Sequence, residues 1–224
     1  MQFIVTAGPT REFLDPVRFL SNPSTGRMGF AVARVAARAG HTVTLVAGPV
    51  ALKTPQGVTR VDVVSARDLL AAVKVALVTA AKGRDPVALV MTAAVADWRP
   101  AVCASAKMKK SEMDGTLKLV RNPDVLKTLN EALKKKDLSV RHLVRVGFAA
   151  ETGAPAAEAA RKCREKGLDL VVGNNVMEKG SGFGTTTNRV TLVYPDGRIE
   201  PLPLLSKDAV ARRLVSFCEK MGME

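Results

Sequence analysis

Aromatic side chains are scarce in this chain: seven Phe, one Trp and one Tyr among 224 residues. A surface that stacks the successive bases of a single strand needs more flat rings than that. Histidine is scarcer, with only His41 and His142. A Ser-His-Asp or Cys-His site would have to use one of these two. His41 follows Ala39-Gly40 at a helix-to-strand turn and His142 precedes an apolar run, so both read as structural. The three cysteines, Cys103, Cys163 and Cys218, are widely spaced, with no CxxC pair and no Cys/His metal spacing. That argues against a disulfide framework and against a structural zinc, and no metal ligands are assigned. The longest apolar stretch, 87–96, ends at Asp97, far short of the ~18 residues of a membrane span. The first residues run into an apolar segment, 2–6, with no basic leader. A cytoplasmic protein with no membrane partner is the expectation.

What is plentiful is positive charge. Lys and Arg number 34 against 21 Asp and Glu, a formal net charge of +13 with a pI near 10.1. Such a balance suits anionic partners, although a generally basic proteome produces it too. Hydrophobic residues at 47% and charged residues at 25% are ordinary for a globular chain. The length suits one domain over 1–224.

Short β-branched runs alternate with helical patterns. Strands are expected at 3–6, 42–46, 58–64, 87–92, 143–148 and 168–172. Helices are expected at 30–39, after Ser65 with Asp68 in capping-box position, from Asn122 as N-cap with Pro123 in the first turn, and at 156–166. Strands with no polar face, separated by helices, imply a mostly parallel sheet covered on both sides. The expected fold is α/β, Rossmann-like and doubly wound, with order 3-2-1-4-5 at its centre. Residues 97–116 read as a long mobile loop with an excursion of short strands. A C-terminal hairpin, 189–193 with 198–202, turns on Pro195-Asp196-Gly197, and Ser206 caps a final helix. The Gly180-Ser181-Gly182-Phe183-Gly184 stretch reads as a flexible structural loop.

Doubly wound sheets bind ligands beyond the carboxyl ends of their strands, where strand order reverses. The loops after the first and fourth strands should therefore face each other across one crevice. Neither GxGxxG nor GxxxxGK[ST] occurs. Instead Ser24-Thr25-Gly26-Arg27-Met28-Gly29 opens a helix, and its free N–H groups suit a phosphate or carboxylate. Glycines for a tight turn and close packing are the plainer reading. The cluster Lys107-Met108-Lys109-Lys110, and Lys162 with Lys166 at i, i+4, are either anion contacts or solvated charge. Asn22 and Asp97 are either site residues or loop caps.

Read together, these segments resemble phosphopantothenoylcysteine synthetase. The matching stretches begin with Thr6-Ala7-Gly8-Pro9-Thr10-Arg11-Glu12, Asp15-Pro16-Val17-Arg18-Phe19-Leu20-Ser21-Asn22 and the Ser24-to-Gly29 helix start. They continue with Ala93-Ala94-Val95-Ala96-Asp97-Trp98-Arg99-Pro100, Lys107-Met108-Lys109-Lys110 and Asn122-Pro123-Asp124-Val125. Val146-Gly147-Phe148-Ala149-Ala150-Glu151-Thr152 and Lys166-Gly167-Leu168-Asp169-Leu170 complete the set. Many members are fused behind a flavin-dependent decarboxylase, and here the pattern starts at residue 2, implying a stand-alone ligase or an excised domain.

The resemblance implies a ligase of coenzyme A biosynthesis that joins 4′-phosphopantothenate to L-cysteine. The substrate carboxylate attacks the α-phosphate of CTP, more readily than ATP, giving an acyl-cytidylate and pyrophosphate. The cysteine amine then displaces CMP. It implies Mg²⁺ held mainly by the triphosphate and a homodimer. Lys107 would contact the triphosphate and Asn22 would hold the intermediate. Gly8, Ala93, Asp97, Asn122, Pro123, Asp124, Val125, Phe148, Lys162 and Lys166 would shape the nucleotide pocket, with Asn22, Gly26 and Arg27 on the substrate. Thr25 and Arg27 stand where Ser and Lys are common, and Asn175 where Asp is common. Two other classes share these features: a nicotinamide-dependent reductase, against which the missing GxGxxG counts, and a basic nucleic-acid module, against which the few aromatics and absent recognition motif count.

Overall fold

A computed structural model of the chain describes residues 1–109, 115–135, 140, 142–151 and 155–223, with the side chains of 151 and 155–158 excepted. In chain order, β1 (Gln2–Ala7) is followed by a short pair, β2 (Glu12–Phe13) and β3 (Phe19–Leu20), then α1 (Arg27–Arg38), β4 (Thr42–Ala47), β5 (Val58–Asp62) and α2 (Ala66–Ala80). Next come β6 (Val87–Met91), a ribbon of β7 (Trp98–Pro100) with β8 (Leu119–Arg121), α3 (Val125–Lys134), β9 (Leu143–Glu151) and α4 (Pro155–Glu165). The chain continues through β10 (Leu170–Asn175), β11 (Thr187–Asn188), β12 (Val190–Val193), β13 (Ile199–Pro201), β14 (Leu205–Ser206) and α5 (Lys207–Met223).

The run Val87–Met91 is buried at every position, which a strand can be only where both faces of its sheet are covered. The eight-stranded sheet has the order β13-β12-β10-β9-β6-β1-β4-β5. From β10 to β5 the neighbours are parallel, and β12 and β13 add antiparallel strands at the edge. Counting the parallel strands in chain order gives 3-2-1-4-5-6, so the expected doubly wound topology holds, with the reversal between β1 and β6. Helices α1 and α5 pack on one face through Val32, Ala36, Leu214 and Cys218. The other face carries α2 and α3 through Leu69, Leu77 and Leu129, and α4 through Ala159 and Cys163. Each fully buried leucine contributes roughly 1.5–3 kcal/mol.

Local signals explain the element ends. Ser65 and Asp68 form the expected capping box: Asp68 N donates to Ser65 Oγ at 3.2 Å and Ser65 N to Asp68 Oδ2 at 2.9 Å. Ser206 Oγ accepts from Ala209 N at 3.2 Å. Both histidines are structural. His41 stacks on Phe3 and its Nε2 lies 2.9 Å from Glu219 Oε1, while His142 makes a turn at φ 50°.

Two expectations are corrected. The N-cap of α3 is Asp124, not Asn122: the Asp124 carboxylate accepts from Lys127 N at 3.1 Å, whereas Asn122, two residues earlier, donates its Nδ2 to Ala96 O at 2.8 Å. The expected hairpin is present as β12 and β13, and β12 pairs with β10, so it extends the main sheet. The segment 97–116 carries the short-strand excursion expected of it. It starts in the β7–β8 ribbon, and its described part is fastened by Ala104 N to Leu14 O at 2.8 Å and Met108 N to Asp15 Oδ2 at 3.2 Å. Lys110, Glu112 and Asp114 lie outside the described residues, as does Thr152. The glycine-rich 180–184 stretch is pinned by Ser181, Asn188 and Lys207, as described below.

Candidate functional site

Gly26 begins the site. It is the N-cap of α1 at φ 76°, a conformation glycine adopts without a Cβ penalty, and it supplies no side-chain cap. The first-turn N–H groups of α1 and its dipole therefore point at the crevice. Gly29 brings that helix end close to the sheet. A Cβ there would meet Thr92 Oγ1 at 2.5 Å, Ala7 Cβ at 2.6 Å and Thr6 O at 2.8 Å.

The loops after β1 and β6 are stitched together across the switch point. Thr92 Oγ1 donates to Thr6 O at 2.6 Å and Ala93 N to Thr6 Oγ1 at 3.1 Å. Ala94 N donates to Gly8 O at 2.9 Å, Thr10 N to Ala94 O at 3.2 Å, and Ala96 N to Thr10 Oγ1 at 3.0 Å. Asn22 joins them: its Nδ2 donates to Ala94 O at 2.6 Å and its Oδ1 accepts from Ser24 N at 3.2 Å. The amide has a second N–H to give. A cavity of about 660 Å³ opens here.

Its far wall comes from the entry to α3, from β9 and from α4. Asn122 ties this wall to the β6 loop: its N donates to Asp97 O at 2.8 Å and its Nδ2 to Ala96 O at 2.8 Å. Asp124 caps α3 and pairs with Lys166 Nζ at 2.9 Å. Burial pushes the Asp124 carboxyl up, but the Lys166 hydrogen bond and charge and the helix N–H groups outweigh it and hold it below the usual range. Phe148 and Lys162 complete this side.

The family model for the DNA/pantothenate metabolism flavoprotein C-terminal domain matches residues 1–221. The chain belongs to this family. It is 44% identical over 205 residues to the coenzyme A biosynthesis bifunctional protein CoaBC of Bacillus subtilis (strain 168), covering 91% of this chain and 47% of that one. The CoaBC of Vibrio vulnificus (strain YJ016) is 40% identical over 214 residues, covering 95% and 50%. The chain thus spans about half the length of the curated relatives it matches. The crystal structure of the C-terminal domain of a CoaBC protein superposes with a TM-score of 0.76 at 39% identity, covering 98% of this chain and 94% of that chain. The fold shown by that domain is the one expected from sequence.

In this family member the crevice gathers Asn22, Gly26, Arg27, Ala93, Asp97, Asn122, Pro123, Asp124, Val125, Phe148, Lys162 and Lys166. Two expected residues are not in its lining. Gly8, at φ 79°, is a turn packed behind Gly26, where a Cβ would strike Val50 Cγ1 at 2.9 Å. Lys107 is exposed on the segment that Asp15 and Arg18 hold through Met108 and is not among the lining residues. Asp97 and Asp124 are the carboxylates of the lining, and no group of three His, Cys, Asp or Glu able to hold a metal occurs among the described residues.

Sequence reasoning missed several lining residues. Trp98 stands at the rim, with Arg121 Cζ 5.3 Å from its ring centroid. Asn174, Gly182, Phe183, Asn188 and Lys207 form the end wall. Lys207 is 7% exposed, and burial, with the Arg27 charge adding, pulls its ammonium down to about 8. One signal pointed to it: a lysine in the first turn of a helix opposes the dipole.

Proposed function

We propose that this chain is a phosphopantothenate–cysteine ligase, one domain over 1–224, acting in coenzyme A biosynthesis. The observation that carries the reading is the crevice itself. An uncapped helix N-terminus with Arg27 lies at one end, Lys162 and Lys166 lie at the other, and Asn22 sits at the seam where the β1 and β6 loops are stitched. Two anions fit such a site, a phosphorylated carboxylate at α1 and a nucleotide toward α3 and α4. The 39% identical CoaBC C-terminal domain supports that choice.

In this reading the substrate carboxylate attacks the α-phosphate of CTP, the bond to pyrophosphate breaks, and the acyl-cytidylate is held by Asn22. The cysteine amine then attacks the acyl carbon and CMP leaves. Positioning and charge neutralisation by Asn, Lys and backbone N–H groups are what such a step requires. Mg²⁺ would neutralise phosphate charge, and with so few carboxylates in the lining it would be held mainly by phosphates and water. Asp97 and Asp124 are the side chains that could face it. Lys107 would touch the triphosphate where the nucleotide extends past the lining. CTP is preferred over ATP, the functional unit is a homodimer, and the protein works in the cytoplasm. No helix among the described residues is long and apolar enough to cross a membrane.

The test is an assay with 4′-phosphopantothenate, cysteine, Mg²⁺ and either CTP or ATP, following pyrophosphate. Release that needs both phosphopantothenate and a triphosphate, faster with CTP, is expected. No turnover with either nucleotide overturns the reading, and faster turnover with ATP overturns the nucleotide preference alone.

A further inference from the structure

The end wall of the crevice is organised around one buried side chain. Lys207 Nζ donates to Gly182 O at 3.0 Å, Thr185 Oγ1 at 3.1 Å and Thr187 O at 3.1 Å. Three bonds use all three ammonium protons. All three acceptors lie on one loop, residues 182–187. The loop is gripped from its other side by Asn188, whose Oδ1 accepts from Gly182 N at 3.1 Å and lies 3.1 Å from Ser181 Oγ. Ser181 Oγ is in turn 2.6 Å from Asn174 Oδ1. Between these grips stands Phe183, 38% exposed and lining the crevice.

A buried ammonium is costly, and the first turn of a helix makes it more so. What offsets that cost here is bonding to three neutral acceptors about twenty residues back in the chain, with no carboxylate among them. The cation is therefore committed to the loop. We propose that Lys207 is a positioning residue. It locks the 182–187 loop as the crevice end wall and so presents Phe183 to the aliphatic arm of a substrate whose anionic end sits at α1 beside Arg27. The identity of that substrate rests on the ligase reading; the lock does not.

Two measurements test this. The first is amide hydrogen exchange on the ligand-free protein carrying Lys207→Met. Exchange in 182–187 should rise by about ten- to hundredfold, the scale of losing a buried hydrogen-bond partner, with β1, β4 and β6 unchanged. Unchanged exchange in the loop, or an equal rise across the sheet, overturns the lock. The second is a kinetic cycle of Lys207→Met, Phe183→Ala and the double variant. Each single change should raise KM for phosphopantothenate by about tenfold with kcat within a few-fold, and the double should be no worse than either, the signature of residues acting as one unit. Additive effects, a fall in kcat alone, or a normal KM in Phe183→Ala overturn the role assigned to the wall. If the unaltered protein shows no turnover, the ligase reading fails and the exchange result still decides the lock.

Discussion

Asn22 shows how much one amide can be asked to do. It bonds Ala94 O and Ser24 N at once, so it fixes the seam between two loops while facing the crevice. In Asn22→Asp a carboxylate oxygen would stand against the Ala94 carbonyl and against any phosphate held nearby. The expected result is formation of acyl-cytidylate with poor conversion to product, seen by quenching with cysteine present and separating CTP, CMP and the intermediate. Loss of the intermediate as well would place Asn22 in binding instead. Lys107 is tested by Lys107→Ala. Intermediate formation should fall by roughly 10²–10³-fold, the scale for one lost transition-state charge stabiliser. A normal rate would return it to the solvated surface where the structure places it. The cysteines divide by burial. Cys103 is exposed, Cys163 and Cys218 are buried, and burial raises the thiol of both, that of Cys218 to about 12. A thiol-exchange reagent should therefore titrate Cys103 alone in the native protein and all three thiols in denaturant; early reaction of Cys218 would contradict the packing of α5.

At the scale of elements, the contact of α1 with β1 and β6 sets the site. Gly29 has Thr92 Oγ1, Ala7 Cβ and Thr6 O within 2.8 Å of where a Cβ would be. Two of those neighbours belong to a strand core with no room to move. Gly29→Ala should destabilise the fold by about 1–3 kcal/mol, the usual range for overpacking, measured by urea unfolding. It should also lower turnover, because the helix end proposed to bind the anion is pushed outward. Unchanged stability would mean that the helix can shift without cost. The glycine was visible in the sequence as part of a helix start. Its tightness was not, since that depends on Thr92, which is 63 positions away in the chain.

Across the whole molecule, distant segments are tied by a few buried polar groups, and Asp15 is the clearest. It is fully buried, accepts from Val17 N and Arg18 N at 2.9 Å each and from Met108 N at 3.2 Å, and meets the Arg18 guanidinium at 2.5 Å. The Arg18 hydrogen bond, opposed by burial and helped by the backbone N–H groups, holds its carboxyl well below the usual carboxylate range. A depressed carboxylate stabilises the fold above its unfolded pKa, about 3.9, and that contribution is lost as pH falls through the folded value. The urea midpoint should therefore drop below about pH 4 in the unaltered protein and drop less in Asp15→Asn, which starts lower at neutral pH. An equal acid loss in both would assign the effect to other carboxylates. The sequence by itself determined the mostly parallel α/β class, the helix starts at Ser65 and Ser206, and which loops follow the strands. Those follow from short-range patterning: β-branched runs, caps, and glycines at turns. It also placed Asn22 and Asp97 in strand-end loops, which the topology brings to one edge of the sheet, and Lys162 with Lys166 on one helical face. Only the tertiary structure decided that Lys166 is paired with Asp124, that Gly8 packs behind the crevice, and that Lys107 stands outside its lining. It alone showed that the 182–187 loop is a wall held by Lys207. Each of these depends on burial and on partners far along the chain, and a lysine in solvent and a lysine locked to three acceptors look the same in sequence.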